Sequence, residues 1–179
     1  MDSIFSLVKS GKIKSVILDF DNTIIVHNGG DPDWSGEEGY KRFIECMYDS
    51  SYYINNYKKS FDLLPGIADL IDLCYKEGVE VYVLTVSDCS IFFKSKETFI
   101  HSFFPKKIKL VIGVASSGRK VQFLQEYMNY VLIGPSTRTG VVFVDDTDSI
   151  RLKAKKKVHG LYVFSPMNVS VDAQKQYRR

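Results

Sequence analysis

The chain has 179 residues, of which 45% are hydrophobic and 25% charged, and its formal net charge is +3. That length carries one domain with a real core and is too short for two comfortable ones, and the composition is ordinary for a globular protein. No apolar run is long enough to span a bilayer and the first residues do not read as a signal peptide, so a cytoplasmic protein with no membrane partner is expected.

Cys46, Cys74 and Cys89 are too few and too scattered for a disulfide framework or a zinc site. None is followed by the arginine that a cysteine-based phosphatase needs, and all three read as small core or half-buried hydrophobes. The basic clusters Lys106-Lys107-Ile108-Lys109, Lys153–Lys157 and Arg178-Arg179 read as solvated faces. Aromatic residues are not interleaved with them as a single-strand nucleic-acid platform requires.

Met1–Ser10 reads as an opening helix. Val16-Ile17-Leu18 then runs into Asp19-Phe20-Asp21-Asn22-Thr23, the pattern of a strand buried on both faces that ends in two aspartates. In extended chain, side chains at i and i+2 point the same way, so Asp19 and Asp21 are expected to emerge together at the strand's carboxyl end, where open α/β sheets bind ligands. Adjacent carboxylates repel and resist desolvation, and a divalent cation with a reaction to perform explains them better than stability does.

Residues 27–36 are dense in turn formers and predict a loop overhanging that strand end. Tyr40, Phe43, Ile44, Met47 and Tyr48 follow at helical spacing, and Tyr52, Tyr53 and Ile54 extend a tyrosine-rich insert over 27–60, either a small cap bordering the site or a plain core helix. Pro65-Gly66 opens an amphipathic helix through Ile67, Leu70, Ile71 and Cys74, stopped by Gly78. Val79–Leu84 is a second strand, closed by Thr85-Val86-Ser87-Asp88, and the helix after it turns Phe92, Phe99 and Phe103 inward. Ile108–Val114 is a third strand. A helix from near Arg119-Lys120 carries Val121, Leu124 and Met128 inward, and Tyr130–Ile133 fits either its continuation or a short strand. Val141–Val144 runs directly into Asp145-Asp146, Ile150–Lys157 is helical, Leu161–Phe164 is a last strand, and the tail from Met167 is polar and poorly patterned. Strands alternating with helices predict an α/β fold, a parallel sheet of about five strands with helices on both faces, and Val16–Phe20 central between Val141–Val144 and Val79–Leu84.

Asp19-x-Asp21-x-Thr23, Thr85 after a strand, Lys120 at a helix start and Asp145-Asp146 after an apolar strand occur in that order. This set resembles the four motifs of the haloacid dehalogenase-like (HAD) superfamily, with a Rossmann-like fold, and order and spacing match from Val16 to Phe164. It is most similar to the small magnesium-dependent phosphatases of that superfamily, which lack a large cap; Leu64-Pro65-Gly66, Gly118-Arg119-Lys120 and Met167-Asn168 sit where those enzymes have similar residues. The resemblance implies a Mg²⁺-dependent hydrolase of phosphomonoesters acting through an aspartyl-phosphate. Asp19 is then the nucleophile and Asp21 the general acid and base. Thr85, Val86 and Lys120 are the phosphate-binding positions, with Lys120 also beside the nucleophile. Val86 stands where members can carry arginine, which leaves one donor fewer. Mg²⁺ is held by Asp19, the Asp21 backbone carbonyl and one of Asp145 and Asp146, the latter aligning with the usual aspartate.

Taken singly, Thr85 is a strand-end hydroxyl, Lys120 a first-turn lysine, Thr23 a local backbone partner, and Asp88 and Asp148 caps or turn residues. The expected substrate is a phosphorylated small molecule or a phosphoprotein. A nucleic-acid end (3′-phosphate) phosphatase is the second reading, favoured only by the lysine runs. A binding or scaffold protein that keeps the fold without turnover is the third, and the intact Asp21 argues against it.

Overall fold

The computed structural model describes residues 3–28, 35–87, 89–134 and 137–177. In chain order its elements are α1 (Ile4–Lys9), β1 (Ile13–Leu18), β2 (Ile25–His27), α2 (Gly36–Tyr48), α3 (Tyr52–Asn56), β3 (Phe61–Leu63), α4 (Ile67–Lys76), β4 (Glu80–Val86), α5 (Ser90–Phe103), β5 (Leu110–Val114), α6 (Ser117–Ile133), β6 (Gly140–Val144), α7 (Asp148–Lys157), β7 (Leu161–Phe164) and α8 (Pro166–Tyr177). Alternation along β1 sets the layers. Val16 and Leu18 point into one buried cluster and Ile17 into the other, as the two-residue period of a strand requires. β4 and β6 repeat the alternation, with Val81, Val83, Val142 and Val144 on one face and Leu84, Val141 and Phe143 on the other. The first face is covered by α1, α4, α5 and α8, the second by α6 and α7.

The five-stranded sheet is parallel, in the order β5-β4-β1-β6-β7, so β1 is central with β6 and β4 as its neighbours, as its apolar run predicts. The chain winds outward from β1 through β4 to β5 and then returns to β6 and β7 on the other side. Loops leaving β1 and β6 therefore head for opposite faces, which opens a crevice at their carboxyl ends.

The insert is rooted by a small antiparallel pair, β2 with β3. Its expected apolar stripe is not its buried face: Tyr40 and Tyr48 of α2 are 64% and 72% exposed, and Gly39 and Cys46 face inward instead. Glycine at 39 presents no side chain to the core, and Met47 lies against Cys89, with the two sulfurs 3.7 Å apart. Burial pushes the Cys46 and Cys74 thiols up to about 12, which fits their role as small hydrophobes.

Two segments that the sequence leaves open are helical. Tyr130–Ile133 continues α6, because Leu124, Met128 and Val131 extend one buried stripe at i, i+4 and i+7. The tail forms α8, where Pro166 starts the helix, Asn168 Oδ1 accepts the Ser165 N–H at 2.9 Å, and Val169 and Ala173 bury an i, i+4 pair. Gly66, at φ +83°, passes so close beneath α8 that a Cβ there would lie 2.4 Å from the Ala173 side chain. The loop residues 29–34, Asp88, Pro135 and Arg178-Arg179 lie outside the described residues.

Phe99, fully buried on α5, joins the insert to the sheet. Its ring meets Phe20, Tyr53, Tyr57, Phe61 and Phe103 at centroid separations of 4.4–6.3 Å. Phe99→Ala should therefore cost about 3–5 kcal/mol, read as a lower urea midpoint with an unchanged slope. A loss below about 1 kcal/mol would mean that the insert packs independently of this cluster.

Candidate active site

Strand parity aims the first two carboxylates. Asp19 follows Ile17 and Asp145 follows Phe143 on the α6 and α7 side of the sheet, and the Asp19 N–H donates to the Val144 carbonyl at 2.9 Å, locking the two strand ends together. Lys120, in the first turn of α6, reaches both: its Nζ lies 2.6 Å from Asp19 Oδ2 and 2.9 Å from Asp145 Oδ2. All three side chains are buried, at 7%, 0% and 3% exposure for Asp19, Asp145 and Lys120. The remaining oxygens are also held. Asp19 Oδ1 accepts the Phe20 N–H at 2.7 Å, and Asp145 Oδ1 accepts the Thr147 N–H at 2.9 Å. Arg151 donates to the Asp145 carbonyl and pairs with Asp148, steadying the start of α7.

Asp146 is exposed as a residue, and its Oδ1 accepts the Thr147 hydroxyl at 3.2 Å. One oxygen from each of Asp19, Asp145 and Asp146 falls within 4.8 Å of the others. Burial pushes Asp19 up to about 7, against the pull of Lys120 and with a further push from Asp145. Asp146 is raised as well, by partial burial and then by Asp145. Burial alone would lower Lys120, but Asp19 and Asp145 outweigh it and hold the ammonium above its ordinary value.

Asp21 does not emerge beside Asp19. β1 ends at Leu18, residues 21–24 turn, Ile24 N–H donates back to Phe20 O at 2.9 Å, and Asn22 takes a left-handed φ of +51°. The i, i+2 expectation holds only for extended chain, and this turn swings Asp21 to the other face of the sheet. There its Oδ2 meets Lys96 Nζ of α5 at 2.5 Å, and Tyr53 of α3 brings its hydroxyl to Oδ1 at 3.4 Å. Thr85 is fully buried on that same face: its Oγ1 accepts from Lys96 Nζ at 3.0 Å, and the Val86 carbonyl accepts from Nζ at 3.2 Å. Thr23 is buried with no hydrogen-bond partner for its hydroxyl among the described residues, so it is not seen to satisfy local backbone.

The candidate positions thus fall into two groups across the crevice, Asp19, Asp145, Asp146 and Lys120 in one, Asp21, Thr85 and Val86 in the other. Lys96, Tyr53 and Thr147 are partners to which the sequence reading gives no place at the site. A lysine inside the apolar stripe Phe92, Phe99 and Phe103 is the signal that points to Lys96.

No protein-family model matches the chain, and no curated protein matches it by sequence. Solved structures do. A proposed phosphoglycolate phosphatase from Lactobacillus delbrueckii subsp. bulgaricus superposes with a TM-score of 0.53 at 14% identity, covering 93% of this chain and 92% of that one. The chain carries the HAD-like fold. The N-terminal part of a Bacteroides fragilis protein, containing a phosphatase domain and complexed with Mg, superposes with a TM-score of 0.51 at 17% identity over 97% of this chain. The chain spans 42% of that neighbour's length. A HAD-superfamily hydrolase from Ehrlichia chaffeensis gives a TM-score of 0.49 at 14% identity, covering 93% of this chain and 98% of that one.

The carboxylate cluster suits a hard divalent cation. Its donors are all oxygen, with no imidazole or thiolate among them. Three carboxylates share one ammonium, so the fully ionised cluster is short of two positive charges. If the cluster binds Mg²⁺, saturating it at about 100 times the dissociation constant should stabilise the fold by about 2.7 kcal/mol, and Asp146→Asn should lose most of that rise in melting temperature. An equal rise in the variant would exclude Asp146 as a ligand.

Proposed function

We propose that this protein is a Mg²⁺-dependent phosphatase that hydrolyses a phosphomonoester through an aspartyl-phosphate on Asp19. The observation that carries this reading is the arrangement around Asp19: a buried carboxylate at the crevice of a HAD-like sheet, 2.6 Å from the Lys120 ammonium and grouped with Asp145 and Asp146. Asp19 and Asp146 are the side chains assigned to the ion. Of the acidic pair, Asp146 is the more open to an incoming ion, while Asp145 is fully buried against Lys120 and holds that lysine in place. Asp21 joins through its backbone carbonyl, as its carboxyl is engaged elsewhere. When bound, the cation offsets the charge of the carboxylates and of the phosphoryl oxygens.

An Asp19 carboxylate oxygen attacks phosphorus, and the bond from phosphorus to the ester oxygen breaks as the new bond forms. Asp21 gives its proton to the departing oxygen. Water then attacks the phosphorus of the aspartyl-phosphate, returns a proton to Asp21, and releases Asp19 and inorganic phosphate. Lys120 stays beside Asp19 throughout and balances the charge that builds on the phosphoryl oxygens. The end of β4, at Val86, is assigned to the phosphoryl group, because the Thr85 hydroxyl faces Lys96 and the Val86 carbonyl.

A phosphorylated small molecule or phosphoprotein is the preferred substrate. Lys106–Lys109 precede β5 and Lys155–Lys157 precede β7, so both runs lie at the amino ends of the parallel strands, opposite the carboxylates. That placement, away from the carboxylates, supports the small-molecule or phosphoprotein reading over a nucleic-acid end.

p-Nitrophenyl phosphate should be hydrolysed with Mg²⁺ and not in EDTA, and Asp19→Asn should abolish turnover while leaving the circular dichroism spectrum unchanged. Full activity in EDTA, or an active Asp19→Asn variant, would end this reading.

A further inference from the structure

Lys96 is a second buried ammonium, and the chemistry assigned to Asp19 and Lys120 does not use it. It is 0% exposed, at the middle of α5, in a position where the helix otherwise turns Phe92, Phe99 and Phe103 to the core. Burying a lysine is unfavourable unless charge and hydrogen bonds replace the lost water. Here all three protons of the ammonium have acceptors: Asp21 Oδ2 at 2.5 Å, Thr85 Oγ1 at 3.0 Å and the Val86 carbonyl at 3.2 Å. Aromatic faces line the remainder, with Nζ 4.4 Å from the Phe92 ring centroid and 5.3 Å from that of Phe20. The pair is lopsided, since the Asp21 side chain is 40% exposed while that of Lys96 is 1% exposed. A fixed, dry cation therefore grips a carboxylate that opens to the crevice.

We propose that Lys96 is the positioning residue for Asp21, holding its carboxyl on the leaving-group side of the crevice and tying it to Thr85 and Val86 at the end of β4. The inference rests on the phosphoryl-transfer reading above and assigns Lys96 no contact with substrate. The need for such a tether follows from the turn at residues 21–24. That turn frees Asp21 from the strand, and without a partner its side chain would be free to rotate. Tyr53 completes the cradle from the insert: its hydroxyl lies 3.4 Å from Asp21 Oδ1, and its backbone N–H donates to Ser95 Oγ, one residue before Lys96, at 3.3 Å. Two oxygens of one carboxylate are thus held from α5 and from α3.

Lys96→Met keeps the length and fits the apolar walls of Phe20 and Phe92, so it tests the ammonium with little change in volume. The test compares p-nitrophenyl phosphate, whose leaving group needs little protonation, with glycerol 2-phosphate, whose alkoxide needs a proton. Misplacing Asp21 should lower kcat on glycerol 2-phosphate by about 10²-fold and on p-nitrophenyl phosphate far less. In an Asp21→Asn background the same substitution should add no further loss. Equal losses on the two substrates, or losses that multiply in the double variant, would make Lys96 merely structural and overturn the proposal.

A readout free of turnover separates this inference from the reading it rests on. In ¹⁵N-lysine-labelled protein, the Lys96 ammonium should give a slowly exchanging signal that shifts or disappears in Asp21→Asn. If the wild type hydrolyses neither ester with Mg²⁺, the phosphatase reading fails, and the ammonium signal alone decides whether Lys96 holds Asp21. A signal unchanged by Asp21→Asn overturns the tether.

Discussion

The contact of Lys120 with Asp19 and Asp145 is the constraint around which the crevice is built. Two carboxylates about 4 Å apart repel by about 4 kcal/mol at an effective dielectric of 20, and their burial adds to that. One ammonium at 2.6 and 2.9 Å makes both tolerable at the ends of adjacent central strands. It does so only because the first turn of α6 brings Lys120 to the face that Asp19 and Asp145 share. Sheet order, strand parity and the start of α6 must agree for this contact to exist. Even so, burial holds Asp19 up at about 7, so one lysine does not fully balance the cluster. A divalent cation is the natural complement.

The opposite face repeats the device with different residues. Lys96 of α5 holds the Asp21 side chain there and is satisfied by Thr85 and Val86 at the end of β4. One face of the sheet thus contributes a buried lysine with two strand-end aspartates, and the other a buried lysine with Asp21 from the turn after β1, to a common crevice. Among the described residues the insert takes part on the Lys96 side, through Tyr53, while most of the aromatic surface of α2 faces outward. Such a division suits a reaction that needs a nucleophile and a proton carrier on different sides of one phosphoryl group.

Much of this was legible from residue order. Val16–Leu18 and Val141–Val144 are apolar runs that end in aspartates, and a buried parallel strand is what such runs form, so the centre of the sheet and the place of Asp19 and Asp145 follow directly. The direction of Asp21 is not legible in this way, because the period of two stops where the strand stops, and the left-handed Asn22 that redirects the chain has no reliable local code. Lys96 was hidden by its neighbours: Lys94-Ser95-Lys96-Glu97 looks like a solvated helix face, and only its register with Phe92, Phe99 and Phe103 marks it as inward. α8 leaves little signal in the sequence because its buried stripe is built from Pro166, Val169 and Ala173, small side chains with little periodic contrast. The tyrosine stripe of α2 misled in the reverse sense, since amphipathic spacing does not say which side of a helix its neighbours will cover.

The role of Asp19 can be tested on the protein itself. Acid-quenched protein, taken during turnover of p-nitrophenyl phosphate with Mg²⁺, would be reduced with borohydride, digested and sequenced by mass spectrometry. Reduction converts an aspartyl-phosphate to homoserine, so homoserine should appear at position 19 and nowhere else, and only when both substrate and Mg²⁺ are present. Turnover without any modified aspartate, or with the modification at Asp21, Asp145 or Asp146, would contradict the assignment of Asp19 as the nucleophile.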